Sequence, residues 1–310
     1  MFSQFNNDFL FYSNYKRSVT VNSEYEVNST AINNSFIDKF YTGGHIDSTM
    51  KKNVVSKLTG LNRIGGNITF NTVAYFGKDS SKYRFMVGLK QHELFNSTFS
   101  SDFFKLGFYG NKDYAGKTAN LSNTSINFYT YQEVKVGMIW DNIDTTGATM
   151  GISLSYLKGQ NLMRLNTNNT SVYTASDASS IVLTTNASLA LSDTTNHKLN
   201  AFNGNGLSAE FFAEMPYKSR LGKSKFFVSV NNLGFIRWSN KTLNFNADST
   251  YTWSGVKIKS IFDLKDSSIK TVSANNIINK STESSKRYVS TNLPTSLLII
   301  HKIEFTNYFT

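Results

Sequence analysis

The feature that most constrains this chain is an alternation of period two. In YQEVKVGMIW, Val134, Val136, Met138 and Trp140 share one face of an extended backbone, and Glu133, Lys135 and Gly137 share the other. A polar turn follows at residues 141–147. Met150, Ile152, Leu154 and Tyr156 then alternate with Gly151, Ser153 and Ser155. An amphipathic helix repeats its apolar positions every three or four residues, so this rhythm selects strands. Two such strands expose one continuous apolar face. Their other face is small and polar, which suits a lumen or a crowded interior.

The same rhythm recurs. In GNITFNTVAYF, Ile68, Phe70, Ala74 and Phe76 lie opposite Asn67, Asn71 and Val73. Turn residues follow at 77–81, and Tyr83, Phe85, Val87 and Leu89 then alternate with Arg84, Met86, Gly88 and Lys90. A third unit runs from GLSAEFFAEM through a basic turn to FFVSVNN, with a helix as the alternative for Leu207–Met215. Further strands are expected at 18–28, 121–130, 161–173, 180–191, 242–247 and 249–259. Residues 36–58 and 93–108 break the alternation and are expected to be short helices or irregular insertions. Residues 267–290 read as a loop. With no fixed-period repeat and no domain boundary, residues 1–310 form one all-β domain, either an antiparallel up-and-down barrel or a sandwich.

Composition agrees. Charged residues make up 17% of the chain, against roughly 25% in soluble domains. Aromatics reach 14%, and there are two prolines, which sheet interiors tolerate poorly. The absence of cysteine excludes disulfides, thiolate metal sites and cysteine nucleophiles. The net charge of +11 is spread along the chain; its densest group, Lys218, Arg220, Lys223 and Lys225, reads as one loop. Scattered lysine does not make a nucleic-acid site, and aromatics in strand period are more simply core or lipid contacts than base-stacking platforms. No apolar run is long enough for a transmembrane helix, and the N-terminus lacks the pattern of a signal peptide.

No catalytic constellation emerges, and an enzyme ranks last among the readings. Gly204-Asn205-Gly206-Leu207-Ser208-Ala209 matches a dinucleotide fingerprint, but it follows a polar segment and precedes an alternating one, so a hairpin loop fits better and no cofactor is expected. His45, His92, His197 and His301 are never at metal-ligand spacing. Glu210 and Glu214 are about 13 Å apart along a strand, too far for a direct acid–base pair. With Glu133 and Lys135 they are expected to face a wet lumen. The Asn-x-Ser/Thr sites at Asn28, Asn96, Asn168 and Asn240 arise by chance in a chain so rich in these residues.

Trp140, Trp238 and Trp253 fall near expected strand ends, where tryptophan suits a membrane–water boundary. In VNNLGFIRWSN, Leu233, Phe235 and Arg237 share one face and Gly234, Ile236 and Trp238 the other. The expectation is that Trp238 anchors in the boundary while Arg237 reaches water, head groups or the lumen, in a structural role.

DFFKLGFYGN, TSINFYTYQEVKVG and GISLSYLKGQNLMRL, together with VNNLGFIRWSN and WSGVKIKSIFDL, resemble a family of outer-membrane β-barrel proteins of Gram-negative bacteria, a domain of unknown function. The resemblance spans roughly residues 10–295 and rests on distributed patterns. It implies an outer-membrane barrel, with outer-membrane lipid and either a small solute or other envelope proteins as partners. It also implies longer members with a signal peptide and further C-terminal strands, so a truncated copy with an incomplete barrel is expected. The leading functional expectation is a passive channel, a transporter or a surface scaffold. The alternative is a soluble or secreted all-β binding module, a lectin-like or adhesin-like sandwich.

Overall fold

The computed structural model describes residues 16–193, 195, 196, 200–219, 222–254 and 283–305. In chain order these form β1 (Arg17–Ser29), α1 (Asn34–Thr42), α2 (Ser48–Val55), β2 (Leu61–Phe76), β3 (Tyr83–Ser100), α3 (Ser101–Tyr109), a 3-10 turn at Lys112–Tyr114, β4 (Lys117–Asn120) and β5 (Ser125–Trp140). Then come β6 (Thr149–Thr167), β7 (Ser171–Thr174), β8 (Ser180–Leu191), β9 (Gly204–Ser219), β10 (Gly222–Trp238), β11 (Leu243–Ser254), β12 (Glu283–Lys286), β13 (Val289–Asn292) and β14 (Ser296–Phe305).

Eight long strands make an antiparallel meander in the order β1, β2, β3, β5, β6, β9, β10, β14. The sheet curls until side chains from β2, β3, β5, β9 and β10 meet inside it. Among the described residues no ladder joins β1 to β14, so the barrel is open. Near the end of β6, the strand leaves β9 and pairs with β8 instead. β8 then carries β7 and β11, which form a side sheet with β4 and β12.

The two ends of the barrel differ. At one end the strands are joined by the short segments 77–82, 141–148 and 220–221. At the other, longer connections join the strands, and among the described residues they carry α1, α2, α3 and the side sheet. In the turn at 141–148, the Asp144 carboxylate accepts hydrogen bonds from the amides of Thr146 and Ala148 and from the Thr146 hydroxyl. Those bonds, the Thr146 hydroxyl first, hold its pKa below the ordinary carboxylate value.

The helices begin where capping residues stand. Asn33, Asp47 and Ser100 accept from the amides of Phe36, Met50 and Phe103, satisfying donors that the first turn leaves free. Phe36, Val54, Phe99 and Phe104 bury against one another and fix the helices to the outside of the wall.

The helical insertions expected in 36–58 are α1 and α2. Over 93–108 the expectation fails for 93–100, which continue β3; only the following residues are helical. Here the strand drops its strict apolar–polar rhythm, and ladder bonds to β2 and β5 rather than pattern hold it extended. Leu207–Met215 is strand, not helix, and carries Gly204 and Gly206 at its start. The stretches 242–247 and 249–259 merge into β11 as far as Ser254. Of the loop expected at 267–290, residues 267–282 lie outside the described residues, while Glu283–Lys286 and the start of β13 are extended and paired.

Candidate functional site: a charged layer inside and an apolar field outside

The alternation fixes what each face of the wall carries. Five neighbouring strands align Leu89, Val134, Tyr156, Leu207 and Phe235 in one cross-strand row on the outer face. These side chains are 45–61% exposed. The next outward row is polar throughout: Gln91, Gln132, Lys158, Asn205 and Arg237. On the other side of the apolar row the field continues through Phe85, Val87, Val136, Ile152 and Leu154, all exposed. At the short-turn end Tyr83 pairs with Trp140.

The inner face is layered. Nearest the short turns, Arg84 clamps Asp141 with two bonds of 2.7 and 2.6 Å, and Lys16 adds a third at 2.9 Å. Next comes an apolar layer of Val73, Tyr75, Met86, Ile139, Phe212 and Phe227. A charged layer follows. A second apolar layer of Leu94, Tyr131, Leu157, Ile236, Trp238 and Leu293 closes the far side.

Lys90, His92, Glu133, Lys135 and Glu210 make up the charged layer, with side chains 4% exposed or less. The Lys135 ammonium donates to Glu210 at 2.5 Å and lies 3.3 Å from Glu133. Lys90 stands 4.0 Å from Glu210. Glu133 also accepts from the Ser155 hydroxyl at 2.6 Å and from His92 Nε2 at 3.0 Å. With Nε2 donating, His92 Nδ1 faces the Thr69 hydroxyl 3.4 Å away, and that hydroxyl donates to Asn67 at 3.1 Å. The imidazole stacks on Tyr131, with centroids 4.5 Å apart. Two ammoniums face two carboxylates, so the layer is formally neutral, the condition under which buried charge is tolerable. Chemically it is an ion-pair network clamped between apolar layers.

Glu133, Lys135 and Glu210 therefore point inward and meet. Glu214 points to the rim and binds Lys225 at 3.0 Å. Sequence reading missed Lys90 and His92 as members of this cluster. Their signal was parity: both fall on the inner face of β3 with Arg84, Met86 and Gly88.

The aromatic assignments divide. Trp140 lies on the outer face at the short-turn end. Trp253 is 43% exposed but sits on β11 in the side sheet, away from the apolar field. Trp238 corrects the expectation. It is fully buried, and its indole N–H donates to Thr291 at 2.9 Å. The cause is local: β10 bulges between Val230 and Leu233, with Asn232 at φ 56°, and the strand leaves the bulge with Gly234, Ile236 and Trp238 inward. Gly159 and Gly204 on neighbouring strands make the socket; a Cβ at Gly159 would stand 2.8 Å from the indole. Arg237 points outward, its guanidinium 4.3 Å from the Tyr288 ring centre.

A family model described as a family of unknown function, DUF5723, matches residues 11–310. The chain belongs to that family. No curated protein and no solved structure matches it.

Proposed function

We propose that this DUF5723 member is an outer-membrane β-barrel protein that acts as a surface scaffold. Its apolar outer field meets lipid, and its long connections project from one side of the membrane. One observation carries the reading: the partition of residues is inverted. Leucine, valine and phenylalanine are exposed on the outer wall, while lysine, glutamate and serine are buried within. Water does not favour so large an apolar surface, whereas a bilayer requires it. Short turns at one end and long connections at the other are the usual asymmetry of such barrels. A soluble sandwich would pack the apolar faces of two sheets together, and here those faces point away from the interior.

Among the roles expected of a barrel, the scaffold is favoured over a passive channel or transporter because side chains fill the interior. Eight strands enclose a space about wide enough for side chains alone. The test is membrane fractionation followed by electrophoresis of heated and unheated samples. Recovery in the outer-membrane fraction with a heat-dependent shift supports the reading; a soluble monomer without detergent refutes it. Conductance through planar bilayers carrying the purified protein separates the roles, since a scaffold gives no stable open level.

A further inference from the structure

On the outside of the wall, between α1, α3 and the strands β1, β2, β3 and β5, lies an open cleft of about 510 Å3. That size falls within the usual range for small-molecule sites, roughly 300–1,000 Å3. Its walls are apolar: Tyr25, Val27, Ile64 and Ile68 from the strands, Phe40 and Phe108 from the helices. Close-packed proteins leave few voids larger than a water molecule, and an apolar void of this size gains nothing from water. Glu93, paired with Ile68 across the ladder, supplies a carboxylate beside the apolar wall. The cleft is continuous with the exposed field. Along the outer face of β1, Val19 and Val21, 69% and 74% exposed, lead through Ser23 to Tyr25 and Val27.

We propose that this cleft holds one acyl chain of a membrane lipid. The inference rests on the membrane reading for its choice of occupant, since the cleft opens from the same face that lipid would cover. α1 and α3 form its outer wall, and the chain lies between them and the strands. A long, unbranched hydrocarbon matches an apolar cleft whose polar groups are confined to a few positions. A chain that enters from the bilayer exchanges one apolar surrounding for another, so close contact with the cleft walls rather than escape from water retains it.

Gly107 gives a clean test. It lines the cleft on α3, its φ is ordinary for a helix, and a Cβ there would meet nothing within 4 Å. Gly107→Trp therefore starts its side chain in open space at the cleft wall and takes up room that the acyl chain needs. The full chain, held in amphipol, is titrated with phosphatidylcholine carrying a fluorescent parinaroyl chain, and separately with free parinaric acid. The expected result is saturable binding of the phospholipid at one per chain, weakened about tenfold or more by Gly107→Trp. Non-saturable binding, equal binding by the variant, or binding of the free acid alone overturns the proposal. Heat-dependent migration is read on the same samples. A wild-type chain that binds the phospholipid but shows no shift refutes the barrel reading and leaves the cleft standing. A chain that shifts but does not bind refutes the cleft alone.

Discussion

Single residues decide how the interior closes. Trp238 fills a socket made by Gly159 and Gly204, so Trp238→Ala leaves a cavity that the ladders around it cannot collapse. Its expected cost is about 3–5 kcal/mol, measured as loss of stability in denaturant unfolding from lipid vesicles. A tryptophan at a lipid boundary would instead show a small change and altered vesicle insertion. In the charged layer, Lys135→Met strips Glu133 and Glu210 of their nearest cation, at an expected cost of about 3–5 kcal/mol. Lys135→Met with Glu210→Gln removes one charge of each sign and should cost less than the two single changes together, which a double-mutant cycle reads as coupling. At this scale sequence was half sufficient. The inward parity of Glu133 and Lys135 was legible because β5 alternates strictly. That Glu210 lies against Lys135 depends on the curl that brings β9 across from β5, and no local pattern encodes that contact. Trp238 was misplaced because the bulge between Val230 and Leu233 sets which face of β10 turns inward, and the glycines that make its socket lie in other strands.

Elements are held by ladders where pattern is clear and by caps or turns where it is not. The alternating stretches at 66–76, 83–90 and 131–140 announced themselves, whereas residues 93–100 did not, because their outward positions mix Glu93, Phe95 and Ser97. The bulge at Asn231 and Asn232 was also hidden: two adjacent asparagines read equally as a turn. Among the turns, Asp144 carries a testable pH dependence. Its folded pKa is depressed, so its stabilisation is present above the unfolded carboxylate value, about 4, and is lost as pH falls through the lower folded value. Protection factors of the Thr146 and Ala148 amides should fall below about pH 4 and should be low at all pH values in Asp144→Ala. Unchanged protection through that range would show that the carboxylate does not hold the turn.

For the whole molecule the claim is that the wall is turned inside out relative to a soluble protein. Leu154 and Val136 lie in the apolar field and Ser153 and Lys135 directly behind it. Leu154→Arg should cost about 2–4 kcal/mol of stability in vesicles if this position lies near the bilayer midplane, whereas an exposed surface position on a soluble sandwich would tolerate it within about 0.5 kcal/mol. The alternation was legible in the sequence; whether the apolar faces turn outward or pack against each other was not, because a barrel and a sandwich share that pattern until the sheet is seen to curl. The chain has no cysteine, so single cysteines can be placed without background. The most direct test labels each position from 149 to 157 of β6 with a nitroxide in lipid vesicles and measures collision with oxygen and with a water-soluble nickel complex. Alternation of period two is expected: high oxygen and low nickel accessibility at 150, 152, 154 and 156, and low accessibility to both at 151, 153, 155 and 157. High nickel accessibility at the outward positions would contradict it.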